Sequence, residues 1–238
     1  MTSRYLKEFE KLNTTTESIY DLGDFKVLII LKDGTNLTDW KDVENIKDII
    51  FVSENLSDYI SLGRYEGFKS LKAIVTPEIS DELTRMGGMF TGCFSLVDLS
   101  PLSDWDTSKV TDMSWMFKGC SALVDLSPLA NWDTSQVTDM RAMFEDCTSL
   151  VDLSLLSGWD TSKVTRIGGM FGGCSSLVDL SPLSNWDTSQ VTDMSGMFED
   201  CSGLVDLSDL SGWNVSNVRY MDDMFKGCKS LKEYPEWY

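Results

Sequence analysis

Apolar and polar positions recur along residues 83–231 with a period of 27 residues. One unit reads Met-Phe-x-x-Cys-x-x-Leu-Val-Asp-Leu-Ser-x-Leu-x-x-Trp-Asp-Thr-Ser-x-Val-Thr-Asp-Met-x-x. Six cysteines keep this phase without a gap: Cys93, Cys120, Cys147, Cys174, Cys201 and Cys228. A unit this short cannot bury its own apolar face, so neighbouring units must stack to make a core.

The pattern inside each unit predicts the local structure. Leu-Val-Asp-Leu-Ser largely alternates apolar and polar residues and is expected to form a short strand, and Val-Thr-Asp-Met is expected to be a second extended piece. Met-Phe-x-x-Cys suits one helical or 3₁₀ turn. The sequence therefore predicts a repeat solenoid of mainly short parallel β-strands, with one such turn in each 27-residue coil and with stacked ladders of Leu, Trp and Cys.

The chain outside the regular units is expected to close the ends of this stack. Residues 4–12 carry an apolar stripe at helical spacing and predict a helical N-terminal cap, and Lys26–Leu31 predicts a buried strand. The predicted segments are an N-terminal cap (1–36), degenerate repeats (37–82), the regular repeat solenoid (83–231) and a C-terminal cap (232–238).

One long motif within the unit resembles a known family. Val-x-x-Met-x-x-Met-Phe-x-x-Cys-x-x-Leu, as at residues 191–204, occurs four times intact and twice with one conservative change, Leu83 for the Val and Ile167 for the Met. It resembles the BspA-type leucine-rich repeat, in the group described as a bacterial surface-protein 26-residue repeat, clearly over 83–231 and weakly over 37–82. The resemblance implies a leucine-rich-repeat solenoid with a role in protein binding or adhesion.

The net charge of −18 narrows the possible partners. Residues 1–88 hold 11 basic and 16 acidic side chains, which gives −5, and residues 89–238 hold 9 and 22, which gives −13. Such a surface disfavours direct contact with nucleic acid or with anionic membranes, and it favours solubility or a basic protein partner. With no signal peptide or membrane-length apolar run in the sequence as given, we expect a cytoplasmic monomer, while the family resemblance leaves the cell surface open.

The cysteines and aspartates are expected to be structural. The 27-residue cysteine spacing is unlike that of zinc sites and predicts an internal ladder of free, unreactive thiols, with a disulfide between adjacent coils as the alternative. The aspartate after each tryptophan predicts an Asx turn, a role that Asn214 can also fill in the last unit; calcium binding by the stacked carboxylates is the alternative. No cofactor or metal is expected.

The composition bears on three classes of function. The chain has no histidine, and repetition makes its carboxylates equivalent, so an enzyme is not expected. The favoured interpretation is a protein-binding scaffold. The alternatives are an acidic nucleic-acid mimic or inhibitor that occupies a basic groove, and a surface adhesin if an export signal lies outside this sequence.

Recognition in such a stack must use positions that differ between units. The two residues after the repeat Met vary, as does the residue before it, and they supply Trp115 and three arginines, Arg85, Arg141 and Arg166, on an otherwise acidic protein. Trp115, Arg141 and Arg166 are of the types enriched in interface hot spots, and they are the candidate partner-binding residues. The alternative is that Trp115 only fills a gap beside the irregular coil at residues 68–88.

Overall fold

The computed structural model describes residues 84–238 and, before them, the backbone of four β-strands that form one sheet in the order β1-β2-β3-β4. β1 pairs antiparallel with β2, whereas β2–β3 and β3–β4 are parallel. The strand predicted at Lys26–Leu31 is confirmed as β2; the predicted helical cap at residues 4–12 lies outside the described residues. The strands are β1 (Ser18–Asp21), β2 (Lys26–Leu31), β3 (Asp48–Val52) and β4 (Ala73–Val75).

The repeat units that follow are joined by a ladder of backbone hydrogen bonds along one segment. At one boundary the amides of Met113, Trp115, Phe117 and Gly119 donate to carbonyl oxygens 26 residues further on, at 2.7–2.9 Å. Of the amides between them, those of Met116 and Lys118 donate to carbonyl oxygens three residues back, and that of Ser114 donates to Asp112 Oδ1, so the segment is a series of turns. Each unit contributes one parallel bridge residue to this ladder: Arg85, Asp112, Asp139, Arg166, Asp193 and Tyr220.

The Leu-Val-Asp-Leu segment does not form the predicted strand in residues 84–238. Leu123 and Leu126 are buried while Val124 and Asp125 are exposed, a period of three where a strand has two. The carboxylate of Asp125 accepts the amide of Ser127 at 2.8 Å, which turns the chain into a 3₁₀ helix. An extended segment whose carboxylate bends the chain in this way cannot continue as a strand.

The 3₁₀ helix of each unit therefore lies at Ser-x-Leu and not at Met-Phe-x-x-Cys, where the sequence predicted it. Three of the five helices have a proline in the first turn, whose fixed φ suits that position and whose missing N–H costs nothing there. The helices are Ser100–Leu102, Ser127–Leu129, Ser154–Gly158, Ser181–Leu183 and Ser208–Leu210.

Identical apolar side chains stack from unit to unit and form the core. Ring centroids of successive phenylalanines lie 5.6–5.9 Å apart, and these rings are almost fully buried. Each cysteine after Cys93 donates its thiol to the phenylalanine carbonyl oxygen 30 residues earlier, at 3.0–3.2 Å. The last unit is covered by Trp237, which stacks on Trp213 at 6.3 Å, and by Tyr238, which meets Phe225 edge-on at 5.0 Å.

The corner after each ladder tryptophan is the predicted Asx turn. Asp106 Oδ1 accepts the amide of Ser108 at 3.0 Å, and Asn214 Oδ1 accepts that of Ser216 at the same distance, so the prediction is confirmed. The hydrogen bonds from Ser108 lower the pKa of the Asp106 carboxyl.

Candidate interaction surface

The bridge residues of the ladder place charged side chains of neighbouring units side by side. Arg85 Nη2 lies 3.0 Å from Asp112 Oδ2, and Arg166 Nη1 lies 3.0 Å from Asp139 Oδ2. Arg85 and Arg166, which stand where other units have an aspartate, thus pair with carboxylates of a neighbouring unit, the next one for Arg85 and the preceding one for Arg166. Because adjacent aspartates one ladder step apart repel each other, these pairs relieve the like-charge stacking of Asp112 on Asp139.

Asp139 is the most enclosed of these carboxylates, at 8% exposure, and it also binds Arg141. Arg141 donates from Nε to both carboxylate oxygens at 3.0 and 3.1 Å and from Nη2 to Oδ2 at 2.9 Å. This forked arrangement is the strong form of an ion pair. The hydrogen bonds to Asp139 raise the pKa of the Arg141 guanidinium.

Trp115 stacks against the same guanidinium. Arg141 Cζ lies 4.8 Å from the centroid of the Trp115 ring, within the range of a cation–π contact. Trp115 is 36% exposed, so part of it lies at the surface. Most of the irregular coil at residues 68–88, whose gap Trp115 was alternatively expected to fill, lies outside the described residues. Its φ of +57° is in the left-handed region, which costs a non-glycine residue about 1–2 kcal/mol.

The three residues singled out from the sequence therefore lie in one place. We call Trp115, Asp139, Arg141 and Arg166 the Trp115 cluster. Sequence reasoning did not predict that Asp139 belongs to this site. The residue two positions after each bridge aspartate could have indicated it, because that residue contacts the aspartate. In two other units that position is a serine whose hydroxyl donates to the aspartate at 2.6 Å, whereas Arg141 stands there in this unit.

The unit that contains Arg166 has glycine at positions 168, 169, 172 and 173, and Gly172 stands where all the other units carry a side chain. A Cβ on Gly168 would lie 2.9 Å from Asp193 Oδ1, so only glycine leaves room for that carboxylate. Gly169, Gly172 and Gly173 open a cavity of about 350 Å³, and the carboxylates at its rim come from the flanking units. Those carboxylates include Glu145, Asp146, Glu199 and Asp200.

The rim of this cavity is partly neutralised from within the chain. Lys118 Nζ lies 2.6 Å from Glu145 Oε2, and Lys226 Nζ lies 2.8 Å from Glu199 Oε1. Lysine in one unit and glutamate in the neighbouring unit, at equivalent positions, thus form ion pairs. The cavity was not predicted from the sequence, because the pattern of a unit does not show how much space is left beside its glycines.

The six cysteines are free and buried. Burial raises the pKa of the Cys93 thiol to about 12 and that of Cys228 to about 11, which leaves little thiolate near neutral pH. In the part of the chain that the structure describes, no group of three or more metal-ligating side chains is placed to hold an ion. Among the same residues, no helix has the length and apolar character needed to cross a membrane.

Comparison with known proteins gives one family. The family model described as "Mycoplasma protein of unknown function, DUF285" matches residues 64–155 and again residues 151–237. The two matches together run from 64 to 237, which is 174 of the 238 residues. None of the curated proteins matches the chain.

Proposed function

The chain belongs to the family of Mycoplasma proteins of unknown function called DUF285, and we propose that it is a protein-binding scaffold in which a leucine-rich-repeat-like solenoid presents the Trp115 cluster to a partner. The repeated ladders fix the backbone, and the positions that differ between units carry recognition. The resemblance to BspA-type repeats supports this proposal, because that family's role is protein binding or adhesion.

The observation that carries the proposal is the contact between the exposed Trp115 and the half-buried Arg141. Tryptophan and arginine are the residues most enriched in interface hot spots. Here the indole is held at a left-handed backbone position where other units have glycine, alanine or aspartate. A large aromatic residue at such a position costs backbone energy, and more than a third of its surface is left open to a partner.

The geometry also defines the chemistry that the cluster offers. One face of the Arg141 guanidinium is stacked on the indole and its edge is held by Asp139, so the pair forms a rigid, flat surface. Rigid aromatic and guanidinium groups lose little conformational entropy on binding. A partner that presents an apolar or aromatic side chain beside a carboxylate would fit this surface.

The test uses residues that the chain itself carries at equivalent positions. Trp115→Gly copies Gly169 and Gly196, and Arg141→Ser copies Ser114 and Ser195, whose hydroxyls bind the neighbouring aspartate. Arg166 stays in place, so Asp139 keeps an ion pair. The double variant is therefore expected to fold, unlike alanine substitution of all three residues, which would leave a buried carboxylate without a cationic partner.

The matched control removes one aromatic and one basic residue elsewhere. Phe94→Ser and Lys109→Gln copy Ser121 and Gln136, the residues of the next unit. Crosslinking and quantitative capture from cells identify the proteins bound by the native chain, and the affinity of a purified candidate is then measured by calorimetry. We expect the Trp115/Arg141 variant to lose this affinity and the control to keep it. Equal affinity for a folded Trp115/Arg141 variant contradicts the proposal.

The same complex separates the scaffold from the acidic mimic. A nucleic-acid mimic in a basic groove would lose affinity steeply with salt and would not depend on Trp115. Binding that weakens only modestly with salt and depends on Trp115 supports the scaffold.

A further inference from the structure

A second surface is formed by the valine of each Leu-Val-Asp-Leu segment. Valine stands at the same position in five successive units, and in each its side chain is exposed. The exposed fractions lie between 45% and 60% for Val97, Val124, Val151, Val178 and Val205. We call this the valine row. The other exposed positions that repeat in all five units, such as the aspartate after each valine, are polar, so a fully repeated apolar residue in water is an exception.

An aspartate follows each valine and is also exposed. One oxygen of each carboxylate accepts the amide two residues on, at 2.7–2.9 Å, which fixes the side chain beside the row. These hydrogen bonds lower the pKa of Asp152 and Asp206, so both stay ionised. The aspartates are Asp98, Asp125, Asp152, Asp179 and Asp206.

The charge of this aspartate strip is not balanced within residues 84–238. Elsewhere in that range the chain pairs some of its acidic groups with its own cations, as Arg85 does for Asp112 and Lys118 for Glu145. No ion pair in the described residues involves the five aspartates beside the valine row. The row is thus an apolar strip beside an uncompensated acidic strip.

We propose that the valine row binds an amphipathic helix of a partner protein, one whose apolar stripe is flanked by lysine or arginine side chains. The apolar stripe packs on the valines, and the flanking cations pair with the aspartates. The proposal concerns a surface separate in sequence and contacts from the Trp115 cluster and does not depend on it.

The step from unit to unit is seen in the core, where ring centroids of successive phenylalanines lie 5.6–5.9 Å apart. We take the same step for the valine row, and it favours a helix over an extended peptide. A helix laid along the stack repeats its apolar face every 5.4 Å or so. An extended strand repeats one face about every 6.7 Å and falls out of register after two units. Four steps of the row correspond to about 15 helical residues at 1.5 Å each.

The experiment uses a synthetic peptide of about 16 residues, the length that spans the row. It carries leucines on one helical face and lysines beside them, and its Kd is measured by fluorescence anisotropy against the native chain. Val124→Thr, Val151→Thr and Val178→Thr together keep the β-branched shape and replace one methyl group by a hydroxyl at each position. We expect this variant to bind about tenfold or more weakly, because three buried methyl contacts are lost.

Changes at the aspartates test the charge. Asp125→Asn, Asp152→Asn and Asp179→Asn can keep the turn, as Asn214 does in its own turn, and should remove most of the salt dependence of Kd. The Trp115→Gly/Arg141→Ser variant is the matched control and should bind the peptide like the native chain. The proposal is overturned if the threonine variant binds as well as the native chain, if a scrambled peptide binds equally, or if a proline-containing extended peptide of the same composition binds more tightly.

Discussion

Replacing Gly173 by alanine places a methyl group against Asp146 of the preceding unit. Gly173 has a φ of +74°, and a Cβ there would overlap Asp146 Oδ1 and lie 3.3 Å from Asp146 Cα. Gly119, at the equivalent position with a φ of +76°, has no atom closer than 3.5 Å to such a Cβ. The two glycines therefore share the backbone conformation and differ in the space above them.

Comparing the two glycines separates the free-energy cost of a positive φ from the cost of the steric clash with Asp146. Alanine in the left-handed region costs about 1–2 kcal/mol, and Gly119→Ala should lose only that amount in the free energy of unfolding. Gly173→Ala should lose about 1–3 kcal/mol more, because the Asp146 carboxylate has to move. Adding Asp146→Gly should return the loss to the Gly119→Ala value, since residue 146 also has a positive φ, of +61°, that glycine adopts freely.

Urea unfolding followed by tryptophan fluorescence measures the free energy of unfolding of the native protein, the two alanine variants and the Gly173→Ala/Asp146→Gly variant. Asp146→Gly alone completes the double-mutant cycle. If the losses differ as expected, glycine follows aspartate at this position because the aspartate side chain of the preceding unit leaves no room for a Cβ. Equal losses for Gly119→Ala and Gly173→Ala, within about 0.5 kcal/mol, would refute that reasoning.

Three further predictions follow from the ladders. The six thiols should react slowly with a disulfide reagent at pH 8 and all react in denaturant, with Cys228, whose pKa is raised least far, reacting first in the native protein; three or more fast native thiols would contradict burial. Hydrogen bonds from serines hold the pKa of Asp106 and Asp160 below its usual value, so their contribution to stability is present above the unfolded pKa of about 3.9 and is lost as pH falls through the lower folded value. Changing both to asparagine should reduce the loss of stability in urea titrations from pH 6 down to pH 2, and an unchanged loss would be evidence against this linkage. Trp132→Phe should lower the free energy of unfolding by about 1 kcal/mol more than Trp159→Phe in the same assay. The reason is that Trp132 Nε1 donates to the Leu102 carbonyl oxygen at 3.0 Å, whereas Trp159 Nε1 has no partner in the described residues. Equal losses would show that this hydrogen bond contributes nothing.

Much of the repeat could be predicted from spacing alone. The period, the buried ladders, the strand at Lys26–Leu31 and the Asx turn at Asp106 follow from apolar periodicity and from side-chain hydrogen bonding to a nearby amide. These features are local or repeat identically, so one unit is enough to predict them.

The rest depends on backbone conformations that composition does not reveal. Trp115, Ala142 and Asp146 adopt positive φ although none is glycine, because the ladder of turns imposes it on every unit. Period-two reasoning placed a strand at Leu-Val-Asp-Leu since it could not anticipate that the aspartate bends the chain. The binding of Asp139 by two arginines from different units depends on side-chain reach, which no single-unit pattern contains.

The central structural claim is that stacked units are joined by a ladder in which each unit donates its alternate amides to the next. Residue-resolved hydrogen exchange by NMR tests it most directly. The amides of Met113 and Trp115 donate to the following unit, whereas those of Met221 and Asp223, at the same positions of the last unit, have no acceptor within residues 84–238. We predict strong protection at Met113 and Trp115 and fast exchange at Met221 and Asp223. Equal protection in the last unit, or fast exchange in the inner one, would contradict the ladder.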